Sequence, residues 1–288
     1  MWVVGFEQYS KFIEFETYNL QPKPTTYKLK IMLKQLITPF EKISKSKKTI
    51  IASVWILLLI TLWFIGTAGE KHLFPSPSQV FGALGDLYKE GLVVSVFKSL
   101  QLCFMSIVIA TVLSMFLAYC WPVPLMKPVS EFITKFRFLP LAGLTLYITL
   151  IIHDARNMQI WIMVIFLTTF LTTSLISVIS AIPQEEYDHA KTLKCSRFEV
   201  LWQVVILGRI DYVIDVIRQN LAITWMMLVT VESTVAAAGG LGVLIKNSDK
   251  FSNHSRIIAL QIIILLIGLG LDFFINFIRK SVFRYSKI

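Results

Sequence analysis

Long apolar runs separated by short polar segments dominate the chain from residue 49 onward. The run from Val54 to Ile60 contains no polar residue at all. About 20 apolar residues are enough for an α-helix to cross the hydrocarbon core of a bilayer. The pattern therefore predicts an all-α polytopic membrane helix bundle with about six transmembrane helices, at Thr49–Ile65, Leu100–Trp121, Phe136–Ile152, Ile160–Ile182, Ile217–Val231 and Ile257–Ile278.

Prolines mark several of the predicted helix ends. Pro122 and Pro124 end the second span, and Pro183 ends the fourth. Pro140 lies near the start of the third span, where a proline in the first helical turn costs no intrahelical hydrogen bond.

The composition agrees with a membrane protein. Of the 288 residues, 55% are hydrophobic and 16% are charged, whereas soluble globular chains have roughly 25% charged residues. The mean hydropathy is +0.67. These values exclude an ordinary water-soluble protein, and the net charge of +10 then indicates basic cytoplasmic loops rather than binding to nucleic acid.

The basic residues are distributed unevenly between the loops. With six spans and both termini on one side, that side carries 21 of the 28 Lys and Arg residues. Cytoplasmic loops retain Lys and Arg. The sequence therefore predicts that both termini are cytoplasmic.

Residues 1–48 are predicted to form a basic extension that precedes the first span, and residues 49–288 are predicted to form the transmembrane domain. Lysines alternate with apolar side chains over residues 28–48. This alternation predicts a helix that lies on an anionic membrane surface.

Residues 183–211 form a long polar segment that the charge distribution places in the cytoplasm. Pro183 followed by Glu185 and Glu186 predicts the start of a first short helix. Ser196 with Glu199 three residues later predicts a capping box at the start of a second helix. The two helices would separate at Lys194–Ser196, on a surface suited to a soluble partner.

This segment resembles the coupling motif of binding-protein-dependent ABC importer permeases, E-A-A, three residues, G, about nine residues, I-x-L-P. Asp188, His189 and Ala190 align with E-A-A, and residues 206–208 align with the I-L-P end. Lys194 replaces the glycine, so it must either adopt a left-handed backbone or the break must differ. Gly208 replaces the proline. We call residues 183–211 the coupling segment.

Three further elements resemble the nitrate/sulfonate/taurine-type permeases in the same order along the chain. Leu73–Ser78 resembles an L-P-S-P element, and Arg137–Leu141 resembles an R-x-I-P-P stretch. Trp225–Glu232 with Gly239–Gly242 resembles a W-x-x-x-V-x-x-E and G-L-G stretch. Together these elements cover about residues 73–280.

The resemblance implies a type I ABC importer permease in the bacterial cytoplasmic membrane. Its partners would be cytoplasmic ATP-binding subunits, a second permease copy or a paralogous permease, and an extracytoplasmic solute-binding protein. The substrate class would be a small solute, with an anion such as nitrate, a sulfonate or taurine as an example. The chain has no G-x-x-x-x-G-K-[ST] phosphate loop, so ATP hydrolysis is expected on a separate subunit and the chain is not expected to be an enzyme.

Two groups of candidate site residues follow. The first group comprises the expected ATPase-coupling residues, which are polar or charged except for Ala190 and Leu193, the expected apolar contacts. They are Glu185, Asp188, His189, Ala190, Leu193, Lys194 and Arg197. The expected translocation-path residues are Thr168, Thr172, Thr173 and Glu232. The threonines could instead pack helices, and Glu232 could instead brace the turn at Gly239–Gly242.

Asp272, near the inner end of the last span, is expected to snorkel or to pair with Arg279. No cofactor or metal is expected, because the spacing of Cys and His matches no metal-binding pattern. Two alternatives to the importer remain: a secondary transporter without an ATPase, and an integral membrane enzyme. Neither gives the coupling segment a role, and the four histidines are scattered along the chain.

Overall fold

The computed structural model describes residues 44–67 and 74–282. The predicted surface helix over residues 28–48 lies almost wholly outside these ranges, as do the L-P-S-P residue Leu73 and the last six residues. All regular structure in the described residues is helical. The chain divides between Ala68 and Gly69 into two units.

The first unit is described through one helix, α1 (Lys45–Gly66). Its 22 residues span about 33 Å at 1.5 Å per residue, enough to cross a bilayer. Its large apolar side chains are exposed over its whole length, including Trp55 and Leu59. A helix that is apolar on all sides is typical of a membrane span.

The second unit contains ten α-helices among its described residues. They are α2 (Pro77–Lys89), α3 (Leu92–Cys120), α4 (Lys127–Lys135), α5 (Leu141–Ile151), α6 (Ala155–Ser180), α7 (Gln184–Thr192), α8 (Arg197–Val200), α9 (Ile210–Thr234), α10 (Leu241–Lys250) and α11 (His254–Val282). A π-helical stretch (Leu201–Ile206) and a 3₁₀ turn (Leu207–Arg209) join α8 to α9.

Among the described residues, four helices are long and apolar enough to cross a membrane: α1, α3, α6 and α11. A fifth span is possible if the bent pair Lys127–Phe138 and Gly143–Ile151 counts as one. The predicted fifth span lies inside α9, whose 25 residues are long enough but include Asp215, Arg218 and Glu232. The chain is thus a multi-pass membrane helix bundle, with six spans as the sequence-based count.

The predicted third span, Phe136–Ile152, is wrong as a single helix. Phe136–Phe138 forms a 3₁₀ turn, and Leu139 and Pro140 are extended. Pro140 is the N-cap of α5 instead of lying in its first turn. Leu139 is extended because a proline disfavours the helical region for the residue before it, so the helix cannot continue through this point. The 11 residues of α5 span only about 16 Å.

The core of the second unit lies where α3 packs against α6, with α9 packed on both. The buried side of α3 is lined by small residues at helical spacing: Ser99, Cys103, Ser106, Ala110, Ser114 and Ala118. Small residues let helix backbones approach closely in membranes, where the hydrophobic effect does not drive helices together. The outward sides of α3 and α11 carry exposed phenylalanines, a surface suited to lipid.

Two short helices outside the predicted spans complete the unit. Helix α2 begins at a capping box in which the Ser76 hydroxyl accepts from the Gln79 amide and the Gln79 side chain accepts from the Ser76 amide. Helix α2 packs against α11, and α10 packs against α9 and α11. The predicted pairing of Asp272 with Arg279 is wrong. Asp272 lies 3.7 Å from Arg218, and Arg279 pairs instead with Asp215 at 2.9 Å.

Candidate functional site: the coupling segment and the glycine turn

Helix α7 is the first half of the coupling segment. Pro183 is its N-cap, and Glu185 and Glu186 lie in its first turn, where carboxylates favour the positive end of the helix dipole. The helix ends in a Schellman motif, in which the Cys195 amide donates to the Ala190 carbonyl at 3.2 Å and the Lys194 amide donates to the Lys191 carbonyl at 2.9 Å. These two bonds turn the chain sharply at the predicted position.

Lys194 adopts the left-handed backbone that its alignment with the motif glycine requires. Its φ is 57°, one of two positive values at non-glycine residues in the described chain. A lysine there costs about 1–2 kcal/mol relative to an ordinary conformation. Its side chain is exposed, so the cost comes from the backbone alone.

The second half of the coupling segment begins at the predicted capping box. The Glu199 amide donates to the Ser196 hydroxyl at 3.3 Å, and the Ser196 amide donates to the Glu199 carboxylate at 2.6 Å. Helix α8 then widens into the π-helical stretch. Such π-helical stretches occur frequently at functional sites, and here the irregularity separates α8 from the long helix α9.

An ion pair that the sequence did not indicate holds the two halves together. The Arg209 guanidinium donates to the Glu186 carboxylate at 2.5 Å, and the arginine side chain is only 16% exposed. The Arg209 guanidinium also lies over the Tyr212 ring, 5.5 Å from its centroid. The sequence separation of 23 residues hides this contact from helical pattern analysis.

The two predicted apolar contacts differ in exposure. Ala190 is 7% exposed and packs within the segment, whereas Leu193 is 66% exposed at the tip. The apolar side chains of the second half are divided in the same way, with Val205 buried and with Phe198 and Trp202 exposed. The apolar groups that a soluble partner could contact are therefore Leu193, Phe198 and Trp202.

The polar predicted residues lie on the outer surface of the coupling segment. Lys191 donates to the Asp188 carboxylate at 2.7 Å, which lowers the pKa of Asp188. The hydrogen bond from the Ser196 amide likewise lowers the pKa of Glu199. Glu185, His189 and Arg197 are exposed. A cavity of about 380 Å³ lies beneath α7, lined by residues that include Glu185, His189, Ala190 and Gly208.

Glu232 belongs to a different site, where its carboxylate braces the glycine turn, residues 235–242. Its side chain is fully buried and accepts from the Ser99 hydroxyl at 2.6 Å and from the Gly242 amide at 2.9 Å. The Leu241 amide donates to the same Ser99 hydroxyl at 2.9 Å. These hydrogen bonds are those of the brace, one of the two roles expected for Glu232.

The glycines of this turn are required by the brace. Gly240 has a φ of 121°, and a side-chain carbon there would overlap the Glu232 carboxyl group. A carbon on Gly242 would overlap the Val229 carbonyl oxygen. Gln159 adds a further tie, since its amide donates to the Val235 carbonyl at 2.9 Å. These contacts join α3, α6 and α9 to the turn.

The predicted path threonines lie in α6, close to its contact with α3. The Thr168 and Thr172 side chains are buried, and their hydroxyl groups have no hydrogen-bond partner in the described residues. The Thr173 hydroxyl donates to the Thr169 carbonyl at 2.7 Å. No group of three or more metal-ligating side chains occurs among the described residues.

Comparison with known proteins identifies the kind of membrane protein. The chain is 24% identical over 254 residues to the nitrate import permease protein NrtB of Synechocystis sp., covering 82% of this chain and 90% of that protein. The chain is an ABC importer permease. It is also 29% identical over 116 residues to the taurine transport permease TauC of Escherichia coli. It is 25% identical over 131 residues to the bicarbonate transport permease CmpB of Synechococcus elongatus.

These last two alignments span less of the molecules. The match covers 38% of this chain and 42% of TauC, and 45% of this chain and 47% of CmpB. No family model matches the chain.

Solved structures support the same fold. A chain of an amino acid ABC transporter superposes with a TM-score of 0.54 at 17% identity, over 68% of this chain and 94% of that one. A chain of the MetNI methionine ABC transporter in an inward-facing conformation superposes with a TM-score of 0.51 at 17% identity, over 67% of this chain and 94% of that one. As an ABC importer permease, the chain is a transport subunit rather than the ATPase, and its general partners are ATPase and substrate-binding subunits.

Proposed function

We propose that this permease docks a cytoplasmic ATPase subunit through the coupling segment and helps to import a small anion. The observation that carries the docking role is the geometry of the segment itself. The Schellman motif, the left-handed Lys194, the capping box and the Arg209–Glu186 pair fix its two halves, while Leu193 stands 66% exposed at the tip. Leu193, Asp188, Lys191 and Arg197 would contact the ATPase. Ala190 would support α7 from within.

The wider proposal follows the distribution of basic residues and the relatives. Both termini and the coupling segment would be cytoplasmic, in a bacterial inner membrane. Nitrate, taurine and bicarbonate, named for the relatives, are all small anions at neutral pH or carry an anionic group, so an anion is the substrate class we propose. A second permease, identical or paralogous, would complete the pore.

The docking proposal is tested by co-purifying the ATPase with two matched variants of this chain. Leu193→Glu places a charge at the exposed tip, where burial in a partner costs several kcal/mol. Phe251→Glu is the control, because Phe251 is 77% exposed but lies in the turn between α10 and α11. We expect at least a ten-fold loss of bound ATPase for the first variant and none for the second. Equal ATPase binding by both variants would contradict the proposal.

For the path, we propose that the unpaired hydroxyls of Thr168 and Thr172 donate to a passing anion when α3 and α6 rearrange. Thr→Val at either position removes the hydroxyl at almost constant volume. Thr173→Val is the control, because the Thr173 hydroxyl is already bonded to Thr169. Reconstituted transporter should import nitrate, taurine or bicarbonate more slowly with the first two variants. Equal import rates for all three variants would assign these hydroxyls to helix packing.

A further inference from the structure

Helix α4 and the 3₁₀ turn that follows it, residues 127–138, combine exposed aromatic side chains with cations that form no ion pair in the described residues. We call them the interfacial helix. Val129, Phe132 and Phe136 repeat at a spacing of three and four residues, so they share one side of the helix. All three are exposed, Phe132 by 65%, and Phe138 at the end is 72% exposed. The described residues leave Phe132 and Phe138 mostly uncovered, while Phe136 is 37% exposed.

The cations lie on another side of the same helix. Lys127, Glu131 and Lys135 are spaced by four residues, and Arg137 follows in the 3₁₀ turn. Within the described residues none of the three cations forms an ion pair, and all three are exposed. Lys127 lies over the Trp121 ring, 5.2 Å from its centroid, and Arg137 lies over the Phe138 ring, 4.9 Å from its centroid. Glu131 is the single acidic residue of the segment, so its net charge is positive.

The packing of the helix fixes the direction of these two sides. The Ser130 side chain is buried and its hydroxyl donates to the Leu117 carbonyl at 2.8 Å, in the last turn of α3. Helix α3 has 29 residues and a length of about 43 Å, so its end reaches the surface of the bilayer. Trp121, directly after α3, lies where tryptophans accumulate at membrane interfaces.

The orientation of the interfacial helix agrees with a position along the membrane surface. Its axis is turned by 113° from the helical segment Gly143–Ile151. When the membrane normal is taken along Gly143–Ile151, the axis of the interfacial helix lies closer to the membrane plane than to the normal. Helices with an aromatic or aliphatic side and a basic side bind the boundary between headgroups and acyl chains.

We propose that the interfacial helix binds anionic phospholipid headgroups through Lys127, Lys135 and Arg137, with Phe132, Phe136 and Phe138 inserted among the acyl chains. The positive charge favours anionic lipids over uncharged ones, because each Lys or Arg near an anionic membrane contributes about a five-fold gain in binding. The predicted cytoplasmic side is also the side whose leaflet is negatively charged. The proposal does not depend on ATPase docking or on the substrate.

The test uses the full chain and phosphatidylglycerol, with phosphatidylcholine as the uncharged competitor. Native mass spectrometry in mild detergent measures how much of each lipid the chain retains. The triple variant Lys127→Gln, Lys135→Gln, Arg137→Gln should lower the preference for phosphatidylglycerol on the order of a hundred-fold. The matched control is a second triple variant, Lys89→Gln, Lys246→Gln, Lys250→Gln. These three lysines are exposed, and replacing them removes the same amount of positive charge at other places on the surface.

Equal loss of preference in the two triple variants, or no preference for phosphatidylglycerol in the unmodified chain, would overturn the proposal. A photoreactive benzoylphenylalanine in place of Phe132 tests the occupant directly in native membranes. Lipid adducts support the proposal. Cross-links to an ATPase subunit or to a second copy of this chain would assign the surface to a protein partner and overturn it.

Discussion

The coupling segment and the glycine turn both require a left-handed backbone, but they meet the requirement with different residues. Lys194 has a φ of 57° in the coupling segment, and Gly240 has a φ of 121° in the glycine turn. The exposed side chain of Lys194 extends into solvent. At Gly240 a side-chain carbon would overlap the Glu232 carboxylate. Glycine is therefore required where the backbone conformation and close packing coincide, and it is replaceable where the backbone alone is unusual.

The two regions also differ in how they are held. The hydrogen bonds of the glycine turn join residues up to 142 positions apart, whereas those of the coupling segment are local except for the Arg209–Glu186 pair. A region with few long-range contacts opens at lower free energy than one interlocked with the core. The glycine turn is therefore expected to open at a higher free energy than the coupling segment.

Gly240→Ala should have the largest effect on stability among the substitutions that test this comparison. The added carbon collides with Glu232 and the backbone becomes strained, so we expect a loss of about 3–5 kcal/mol of stability. The melting temperature by fluorescence-detected size-exclusion chromatography measures it. Gly85→Ala is the control, because Gly85 lies within α2 with no atom near the new carbon and should melt at the same or a higher temperature. A Gly240→Ala melting temperature equal to that of the control would remove the basis for the brace.

Glu232→Gln should have the next largest effect. The amide keeps the size of the side chain but provides one oxygen where the carboxylate accepts from both Ser99 and Gly242. Leaving one buried donor unpaired costs about 1–3 kcal/mol. Asp249→Asn makes the same chemical change at an exposed position and should be neutral. Unchanged melting of Glu232→Gln would mean that the carboxylate is not the acceptor that organises the turn.

Substitutions at Lys194 test the other half of the comparison, with a smaller expected effect. Lys194→Gly relieves the left-handed strain and should raise stability by up to about 1 kcal/mol, whereas the β-branched Lys194→Val should lower it by about 1–2 kcal/mol. Hydrogen exchange of residues 184–200 reports the local change. Thr192→Val, in the ordinary helical region, is the control. Identical exchange in the glycine and valine variants would show that the backbone at 194 is not left-handed.

The smallest effect is a dependence of the second helix on pH. The Ser196 amide lowers the pKa of Glu199 below its usual 4.5. A carboxyl group whose pKa is lowered by folding stabilises the folded state at pH values above its ordinary pKa. This stabilisation is lost as the pH falls through the lowered pKa of the folded state. Amide exchange around Arg197–Val200, corrected for its intrinsic pH dependence, should therefore accelerate as the pH falls below the ordinary value of 4.5. Glu199→Gln should not show this acceleration, and a variant that still showed it would assign the effect to another group.

Local signals in the sequence predicted much of the coupling segment. Ser196 and Glu199 form their capping box because both partners lie within one helical turn. The break at Lys194 follows from the motif spacing, and the structure confirms the left-handed backbone there. The contact of Arg209 with Glu186 could not be predicted in this way, because it depends on how the chain folds back through the π-helical stretch. The prediction of a single helix for the third span was wrong for a local reason. Leu139 and Pro140 are extended, so the helix begins only at Leu141.

The sequence by itself determined that this is a membrane helix bundle, because long apolar runs have one stable solution in a bilayer, and it determined the family through short motifs in a fixed order. Only the tertiary structure decided what individual polar residues do. Glu232 braces the glycine turn because Ser99 and Gly242 converge on it. Among the apolar residues, Ala190 is buried and Leu193 is exposed. Burial and hydrogen bonding between residues distant in sequence depend on helix packing, which hydrophobic periodicity does not specify.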